Sequence, residues 1–394
     1  MASPAAFSTN SSSIPAFLSP TRSELNNIWR TLSSREQARR IPRQTAGGVE
    51  DPFAVRVGTS RQNRRNNRYS DITAYDSTRI LIPLHSDPSF ESFHYVNASL
   101  ISEPDLGFPP ELLPRGHWVA AQGPTRETVP SFLSLLLDPP TSPALASAPS
   151  TGELAKSSAL PFVNLVVQLT PLREGDREKC APYFPATEGE GYVWNGIEDR
   201  LDGGEQSLSC SYQGESFDEN GKPWKRPKQR RKLLRLSKLS EGSGRDVLHV
   251  EYKGWRDHGV PESPSDLLTF VKQMQNRNKE LSDVAQSPAP ILVHCSAGVG
   301  RTGTYITIAS LLPLLSLLKR QPNWQSTLST KGPHPLGEDY PASEMIKGAP
   351  IDFVGLTVDR IRDQRTTMVQ TKEQLEFIYE ALRYAWVEMD KRER

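Results

Sequence analysis

One short stretch in the last third of the chain limits the possible folds more than any other. Residues 291–293 form an apolar run, which is followed by His294, Cys295, five small or apolar residues and Arg301. The apolar run predicts a buried strand, and a helical pattern begins at Thr304. Two glycines in the turn allow backbone N–H groups to point inward as an anion-binding nest, which the dipole of the following helix reinforces. The stretch therefore predicts a strand, an anion-binding turn and a helix in that order.

The residue types in this turn suit phosphate chemistry. A cysteine at the mouth of an anion-binding nest is favoured as a thiolate, which makes Cys295 a candidate nucleophile. Arg301 carries a planar guanidinium that can hydrogen-bond two phosphoryl oxygens at once. A cysteine and an arginine at this spacing usually mean only a buried cysteine in a tight turn. The complete string between strand and helix is far more specific.

That string, from His294 to Gly303, resembles the signature His-Cys-Ser-Ala-Gly-x-Gly-Arg-Ser/Thr-Gly of the protein tyrosine phosphatases. The resemblance implies that Cys295 attacks phosphorus while Arg301 and the turn hold the phosphoryl oxygens. It also implies that the Thr302 hydroxyl eases the departure of the sulfur and that His294 supports the thiolate from behind. The turn residues that it assigns to substrate binding are Ser296, Ala297, Gly298, Val299 and Gly300.

A second motif, Asn-Arg-Tyr-x-Asp-Ile, occupies residues 67–72. By composition it is a polar surface loop, because Asn and Arg favour turns. It resembles the phosphotyrosine-recognition loop of the same family. This resemblance implies that Tyr69 forms a wall of a deep slot and stacks on the substrate ring. It also implies that Asp71 holds backbone N–H groups of the substrate peptide.

The string from Gly254 to Pro261 follows a predicted strand, and its glycine and proline content is typical of a flexible loop. A phosphate monoester needs its leaving oxygen protonated, which a carboxylic acid on a mobile lid can do. The string resembles the Trp-Pro-Asp lid of the family, so Asp257 is the expected acid and Trp255 the hinge. Arg256 replaces the usual proline, which removes a fixed φ, and we expect a lid less biased toward its usual two positions.

Two further strings extend the resemblance. One ends in Met-Val-Gln-Thr-x-x-Gln and implies that Gln370 positions the hydrolytic water, with Gln374 in support. On its own, a glutamine at a helix start is usually a solvated cap. Thr367 stands where some members have a glycine that opens a second phosphotyrosine pocket, so no such pocket is expected. The other string gives supporting roles to Glu174 and Lys179, with Lys179 near the acid loop.

The resemblance runs from about residue 24 to about residue 390 and implies one α/β domain, a highly twisted mixed β-sheet flanked by α-helices. We place this catalytic domain at 23–392, after a Ser-, Ala- and Pro-rich segment, 1–22, that is predicted to be disordered. The segments predicted as flexible insertions are 138–161, 186–230 and 320–350.

Hydrophobic periodicity predicts the elements between these segments. The proline at position 313 is expected to end or kink the helix after the nucleophile turn. The predicted helices cover 23–41, 126–138, 263–277, 304–312, 352–362 and 372–392. The predicted strands cover 94–101, 162–170 and 247–252, besides the nucleophile strand.

Composition limits the expected partners and cellular location of the protein. Lys and Arg number 47 against 46 Asp and Glu, which gives no drive toward nucleic acid or membranes. Three scattered cysteines imply no disulfide framework and fit a reducing compartment. No secretory leader is expected, and because Pro313 breaks the longest apolar stretch, neither is a membrane span. We expect a cytoplasmic protein that also enters the nucleus if the basic run 222–238 acts in import; the alternative for that run is a solvated loop leading into a strand.

The resemblance implies a tyrosine-specific, non-receptor protein tyrosine phosphatase, fungal-like with loop insertions. It implies hydrolysis of phosphotyrosine in proteins through a phosphocysteine intermediate, without a metal or other cofactor. A monomer that acts in signal transduction, with signalling kinases among its substrates, is expected. One alternative is a dual-specificity or lipid phosphatase, against which Tyr69, Asp257 and Gln370 argue. The other is a phosphotyrosine-binding pseudophosphatase or scaffold, against which the intact Cys295 and Arg301 argue.

Overall fold

The structure is a computed structural model that describes residues 14–44, 51–83, 93–146, 160–198, 205–214, 229–238, 244–255, 259–282, 288–321 and 351–392. The strands within these ranges are β1 (Ile82–Pro83), β2 (Phe93–His94), β3 (Ala98–Ser102), β4 (His117–Ala121), β5 (Leu165–Gln168), β6 (Arg173–Glu174), β7 (Arg177–Glu178), β8 (Gly191–Glu198), β9 (Glu205–Gly214), β10 (Gln229–Lys238), β11 (Gly244–Tyr252) and β12 (Ile291–His294).

The nucleophile strand β12 lies inside an eight-stranded mixed sheet of order β3-β4-β12-β5-β11-β10-β9-β8. It runs parallel to both neighbours, β4 and β5, and its last residue, His294, is level with Ala121 and Gln168. All of β12 is buried, which explains why its sequence is a nearly continuous apolar run. Cys295 follows at the carboxyl edge of these parallel strands, where ligands bind in open α/β sheets.

Helices pack on both faces of this sheet. Val293 and Leu165 belong to one buried cluster with the long C-terminal helices, and Leu292 and Val166 belong to another with Phe132. The predicted α/β fold class is therefore confirmed. The helices are α1 (Arg22–Gln44), α2 (Arg56–Thr59), α3 (Val129–Ser134), α4 (Pro143–Ala146), α5 (Pro264–Leu281), α6 (Gly300–Arg320), α7 (Phe353–Arg362) and α8 (Lys372–Arg392).

The predicted helices are present, with shifted boundaries. α1, α5, α7 and α8 begin within one residue of their predicted starts. Side-chain caps fix two of these starts: Ser263 accepts a hydrogen bond from the Asp266 N–H, and Asp352 accepts one from the Val354 N–H. The helix predicted over 126–138 is shorter, because only α3 is α-helical there.

The prediction that the helix after the nucleophile turn ends at Pro313 is wrong. α6 continues to Arg320 with Pro313 inside it. Proline has no N–H, so the carbonyl of Ala309 loses its helical partner. The side chain of Gln275 on α5 donates to this carbonyl at 2.8 Å. Nearly all of α6 is buried, and we attribute its continuity to this packing together with the replacement hydrogen bond.

The continuity of α6 also corrects the expectation that no segment is long enough to span a membrane. By length and composition this helix could cross one, but 83% of its apolar window is buried inside the protein. α6 begins beside the nucleophile turn and packs against α5, α7 and α8. It is a core helix of the domain.

The expectation of a flexible insertion over 186–230 is wrong for the part that forms β8 and β9. Leu208, Cys210 and Tyr212 are buried and alternate with half-buried serines, which is the period of a strand. Of the basic run, 222–228 lies outside the described residues, and the remainder belongs to strand β10, so the predicted loop itself stays untested.

Two other expectations need correction. The segment predicted to be disordered includes Phe17 and Leu18, which are buried, and the Phe17 ring meets the Phe353 ring edge-on at 5.2 Å. The strand predicted over 94–101 is interrupted between β2 and β3, where Asn97 donates to the carbonyl of Ile72 at 2.6 Å. Residues 1–13, 147–159 and 322–350, on which further predicted disorder and insertions fall, lie outside the described residues.

Candidate active site

The turn after β12 places a ring of backbone groups around Cys295. Gly298 has a φ of 71°, and a Cβ on it would lie 2.2 Å from the carbonyl oxygen of Ala121. Only glycine fits this close approach without displacing the strand. In this conformation the Gly298 N–H donates to the Cys295 sulfur at 3.3 Å. At least one N–H of the turn is therefore directed at the cysteine, as an anion-binding nest at this position requires.

A buried arginine holds the outside of this turn. Arg365 donates to the carbonyls of Gly298 at 2.8 Å and of Ala297 at 3.1 Å. Its other contacts are with Asn97 Oδ1 at 2.9 Å and Ser99 Oγ at 3.2 Å. Burial lowers the pKa of Arg365 to about 10, which leaves it protonated at neutral pH. With these carbonyls bound on the outside, the N–H groups of the turn are free to face the ligand.

Arg301 is oriented by a carboxylate. Its Nη1 donates to Glu174 Oε1 at 2.7 Å and to the carbonyl of Leu169 at 3.2 Å. The second carboxylate oxygen of Glu174 lies 3.1 Å from Lys179 Nζ. The structure thus places both predicted supporting residues beside the guanidinium. They hold its fork at the cavity and reduce the conformational freedom lost when an anion binds.

The recognition loop reaches the nucleophile turn directly. The Tyr69 hydroxyl lies 2.8 Å from Ser296 Oγ, and Ser296 in turn donates to the carbonyl of Lys179 at 3.0 Å. Asp71 lines the same cavity. The base of the loop is fixed by Arg68, whose side chain donates to the carbonyl of Gly123 at 2.9 Å. Sequence reasoning gave Arg68 no role; its contacts lie in a strand end far along the chain.

Gln374 organises the start of α8 on the opposite wall. Its Oε1 accepts from the N–H groups of Gln370 at 2.9 Å and Thr371 at 3.3 Å, while Thr371 Oγ1 accepts from the Gln374 N–H at 3.3 Å. The last two contacts form a capping box. Gln370 is exposed and lines the cavity. Gln374 thus caps α8 and also lines the cavity, and its supporting role in the reaction stays a prediction.

These walls enclose a cavity of about 640 Å³. Most of the predicted site residues are brought together there. The lining residues are Tyr69, Asp71, Ile72, Thr170, Glu174, Lys179, Gly259, Cys295, Ser296, Ala297, Gly300, Arg301, Gln370, Thr371, Glu373 and Gln374.

Some predicted site residues lie behind this lining. Gly298 and Val299 form the back of the turn, and Val299 is fully buried. Thr302 is also fully buried in the first turn of α6, and its hydroxyl makes no hydrogen bond within the part of the chain that the structure describes. Among the described residues, no hydrogen bond joins the Thr302 hydroxyl to the Cys295 sulfur, so the assistance of Thr302 to the departing sulfur stays a prediction.

His294 supports Cys295 through the backbone. Its Nδ1 lies 3.2 Å from the Cys295 carbonyl oxygen, and its Nε2 lies 2.8 Å from the Tyr183 hydroxyl. Burial lowers the pKa of His294 to about 4, so the ring is neutral near pH 7. With Nδ1 donating to the carbonyl and Nε2 accepting from the tyrosine, His294 orients the cysteine without contributing a positive charge.

Of the predicted acid loop, the described residue Gly259 lines the cavity. Asp257, Arg256 and His258 lie outside the described residues. The loop ends are described: Trp255 is buried, and its indole N–H donates to the carbonyl of Gly259 at 3.0 Å. This bond joins the two described ends of the loop, and the hinge role of Trp255 stays a prediction.

The side chains of this site suit covalent phosphoryl chemistry. The three cysteines are buried and none is in a disulfide. Across the described ranges, His, Cys, Asp and Glu form no group of three or more that could hold a metal ion. The arrangement offers a sulfur nucleophile, a guanidinium, backbone N–H donors and an amide that faces the same space.

Comparison with known proteins identifies the class to which this site belongs. A family model described as protein-tyrosine phosphatase matches residues 63–141 and 162–330, more than half of the chain. The chain therefore belongs to the protein-tyrosine phosphatase family. Its nucleophile turn, recognition loop and core strands all fall within the matched residues.

Relatives of both receptor and non-receptor type are similar to this chain. Receptor-type tyrosine-protein phosphatase C of Rattus norvegicus is 28% identical over 340 residues, which are 86% of this chain and 20% of that protein. Tyrosine-protein phosphatase non-receptor type 4 of Mus musculus is 27% identical over 321 residues, 82% of this chain and 25% of that protein. The chain thus spans about a fifth to a quarter of the length of these relatives.

The fold is also that of solved phosphatase structures. The catalytic domain of human protein tyrosine phosphatase non-receptor type 18 superposes with a TM-score of 0.60 and 22% sequence identity. The match covers 93% of this chain and 97% of that one. The similarity supports the topology and the placement of the nucleophile strand.

Proposed function

We propose that this protein hydrolyses phosphotyrosine in proteins through a phosphocysteine intermediate. The observation that carries the proposal is the N–H of Gly298 directed at the Cys295 sulfur, 3.3 Å away, in a cavity that Arg301 also lines. A backbone donor and a fixed guanidinium around a sulfur favour a dianionic group at that point. Membership of the protein-tyrosine phosphatase family supports the same activity.

In the first step, the Cys295 thiolate attacks phosphorus and forms the S–P bond. The bond from phosphorus to the tyrosyl oxygen breaks, and its electron pair goes to that oxygen. Asp257, assigned from the sequence, donates the proton that this oxygen takes up. Arg301 and the N–H groups of residues 296–301 stabilise the charge on the phosphoryl oxygens in the transition state.

In the second step, a water oxygen attacks phosphorus and the S–P bond breaks, so that its electron pair returns to sulfur. The water proton goes to the Asp257 carboxylate, which is thereby ready for another turnover. Gln370, on the cavity wall, orients this water. Inorganic phosphate leaves, and the thiolate is restored.

Tyr69 favours phosphotyrosine over shorter phosphorylated side chains. Its hydroxyl contacts Ser296 of the nucleophile turn, and Tyr69 lines the same cavity as Cys295. An aromatic wall at this point stabilises a bound substrate that carries an aromatic ring. Because Tyr69 lines the cavity, the tyrosine-specific interpretation is favoured over the dual-specificity alternative.

The activity is tested with phosphotyrosine and phosphothreonine peptides of the same sequence. Wild type should release phosphate from the phosphotyrosine peptide, and Cys295→Ser and Asp257→Ala should lose most of this activity while still binding the peptide. Equal hydrolysis of both peptides would support the dual-specificity alternative. Binding without hydrolysis by the wild type would support the pseudophosphatase alternative.

The finer assignment, a non-receptor and fungal-like enzyme that acts as a monomer in signalling, is part of this proposal. The similarity to non-receptor type 4 supports the non-receptor part alone, and receptor-type relatives match a comparable share of the chain. Protein tyrosine phosphatase non-receptor type 18 has been solved with HER2 phosphopeptides, and signalling kinases are by analogy proposed substrates here. Substrate trapping with Asp257→Ala tests this; trapped proteins that include no kinase would contradict it.

A cytoplasmic location, with nuclear entry through the basic run, is also proposed. Lys232 does not take part in import, because it is buried and its Nζ donates to the carbonyl of Pro185 at 2.6 Å. Arg235, by contrast, is exposed, so the proposed import role applies to the basic residues of the run other than Lys232. Neutralising the lysines and arginines of 222–228 should reduce the nuclear fraction of a fluorescent fusion. An unchanged distribution would leave the solvated loop as the explanation for these charges.

A further inference from the structure

The segment that leads to Gln370 has an unfavourable backbone conformation. Thr367 and Val369 both have a φ of 59°. β-Branched residues rarely adopt this left-handed region, because their Cβ crowds the backbone. Such a conformation persists only where the surrounding structure imposes it. The contacts that hold residues 366–369 therefore determine where Gln370 lies.

Glu36, on helix α1, makes several of these contacts with one oxygen. Its Oε1 accepts hydrogen bonds from the Thr366 hydroxyl at 2.7 Å and from the Thr367 N–H at 3.2 Å. The Thr367 hydroxyl lies 3.4 Å from the same oxygen and accepts a hydrogen bond from Arg40 at 3.0 Å. Glu36 is only 7% exposed, so water competes little for these bonds.

Helix α1 is a firm base for this carboxylate. Arg39, beside Glu36, places Nη2 2.7 Å from Asp359 Oδ1 and 2.6 Å from Asp363 Oδ1. Arg35 places Nη1 2.6 Å from the other oxygen of Asp359. The side chains of Arg39 and Asp359 are fully buried, where breaking one partner of an ion pair is strongly destabilising. α1 is thus tied to α7, the helix that leads into the strained segment.

The same segment is also bound from its other side. Arg362, the last residue of α7, donates to the carbonyls of Met368 at 2.8 Å and Val369 at 2.7 Å. Its remaining nitrogen donates to the carbonyl of Leu32 on α1 at 2.9 Å. The N–H of Val369 donates to Val299 of the nucleophile turn at 3.1 Å. Only the Thr366–Thr367 half of the segment depends on Glu36.

We propose that Glu36 is a positioning residue for the second chemical step. It holds Thr366 and Thr367 in the conformation that directs Gln370 at the hydrolytic water. The proposal rests on the proposed function, in which Gln370 orients that water. Within the described residues, the hydrogen bonds of Glu36 reach the threonines and not Cys295 or Arg301, so formation of the phosphocysteine should not depend on it.

Pre-steady-state kinetics with para-nitrophenyl phosphate separates the two steps. The rate of the nitrophenol burst reports phosphocysteine formation, and the steady-state rate reports its hydrolysis. In Glu36→Ala we expect an unchanged burst rate and a hydrolysis rate about 10- to 100-fold lower, the effect typical of a small misplacement of a positioning group. Glu36→Gln keeps an acceptor oxygen at the same place and should recover most of the loss. Gln37→Ala, an exposed neighbour on α1, should behave as wild type.

Thr366→Val removes one donor to Glu36 at nearly constant volume. Thr366→Val should lower the hydrolysis rate by less than Glu36→Ala does and leave the burst rate unchanged. If Glu36→Ala does not fold, this variant is used for the test instead. Equal loss of both rates in these variants, or no loss in either, would overturn the proposal. Gln370→Ala separates this failure from a failure of the proposed function. If Gln370→Ala alone slows hydrolysis selectively, Glu36 has no positioning role; if it does not, the assignment of Gln370 is itself wrong.

Discussion

At the scale of single residues, Gly298 shows how little room the nucleophile turn leaves. Its φ is 71°, and an added Cβ would meet the backbone of Ala121 at 2.2 Å. We expect Gly298→Ala to displace the N–H donors and to lower kcat at least about 100-fold, as loss of a transition-state donor does.

Gly189→Ala is a matched control for that substitution. Gly189 also has a positive φ, 83°, but no atom lies within 4 Å of an added Cβ. Gly189→Ala therefore has the same cost of a positive φ as Gly298→Ala, but its new Cβ meets no neighbouring atom. Steady-state kinetics on a phosphotyrosine peptide should show near wild-type activity for Gly189→Ala. Equal activity of the two variants would contradict the account of the turn.

His294 couples stability to pH. Burial lowers its pKa to about 4 from an ordinary value of 6.5, so in this range the unfolded chain binds the proton more readily than the folded chain. The contribution of His294 to the free energy of unfolding should therefore fall as pH decreases from 6.5 toward 4. Buried Asp352 has the opposite effect, because its pKa is raised to about 6 and its contribution is lost as pH rises.

A comparison with His294→Gln isolates the histidine from Asp352. Urea unfolding of both proteins at about pH 7 and about pH 5 gives the change in the free energy of unfolding. This decrease should be about 2 kcal/mol smaller in His294→Gln than in wild type, since one unit of pKa difference corresponds to about 1.4 kcal/mol. Equal decreases would show that His294 does not remain neutral in the folded protein.

At the scale of elements, helix α6 depends on a side chain from α5. Gln275 donates to the Ala309 carbonyl that Pro313 leaves without a helical partner. Gln275→Ala should lower the free energy of unfolding by about 1–3 kcal/mol, the usual effect of a buried polar group left unpaired.

The double variant Gln275→Ala/Pro313→Ala tests the reason for that loss. Alanine at position 313, which is exposed, restores a backbone N–H to the helix. The double variant should regain most of the stability lost in Gln275→Ala when both are unfolded in urea. If Pro313→Ala gives no recovery, the Gln275 contact stabilises α6 for another reason.

At the scale of the whole molecule, the sheet order explains how distant motifs converge. β12 lies between β4 and β5, so Cys295 emerges beside Ala121 and Gln168. The nucleophile and the guanidinium come from one string and the aromatic wall comes from another, and each could be predicted from its own string. The carboxyl ends of the parallel strands β4, β12 and β5 meet at one edge of the sheet, and Tyr69 reaches this edge from a loop through its contact with Ser296.

What could not be predicted depends on long-range contacts. Arg365 could not be singled out from the sequence, because its partners Asn97 and Ser99 are more than 260 residues away along the chain. Glu36 lies within the predicted helix 23–41 and no local pattern marks it, yet it binds a segment at the other end of the chain. Pro313 follows the local rule for helix breaking, and buried packing overrides that rule. The motifs predicted the candidate reacting groups, whereas Arg68, Arg365 and Glu36, which hold the loops around them, could be assigned only from the fold.

The most direct test of the account is detection of the phosphocysteine. Wild type and Gln370→Ala, mixed with a phosphotyrosine peptide and quenched in acid, should carry one phosphoryl group on the peptide that contains Cys295, seen by mass spectrometry. Gln370→Ala should accumulate more of it because hydrolysis is slowed, and Cys295→Ser should carry none. Phosphate release by the wild type with no label at Cys295 in either protein would contradict the account.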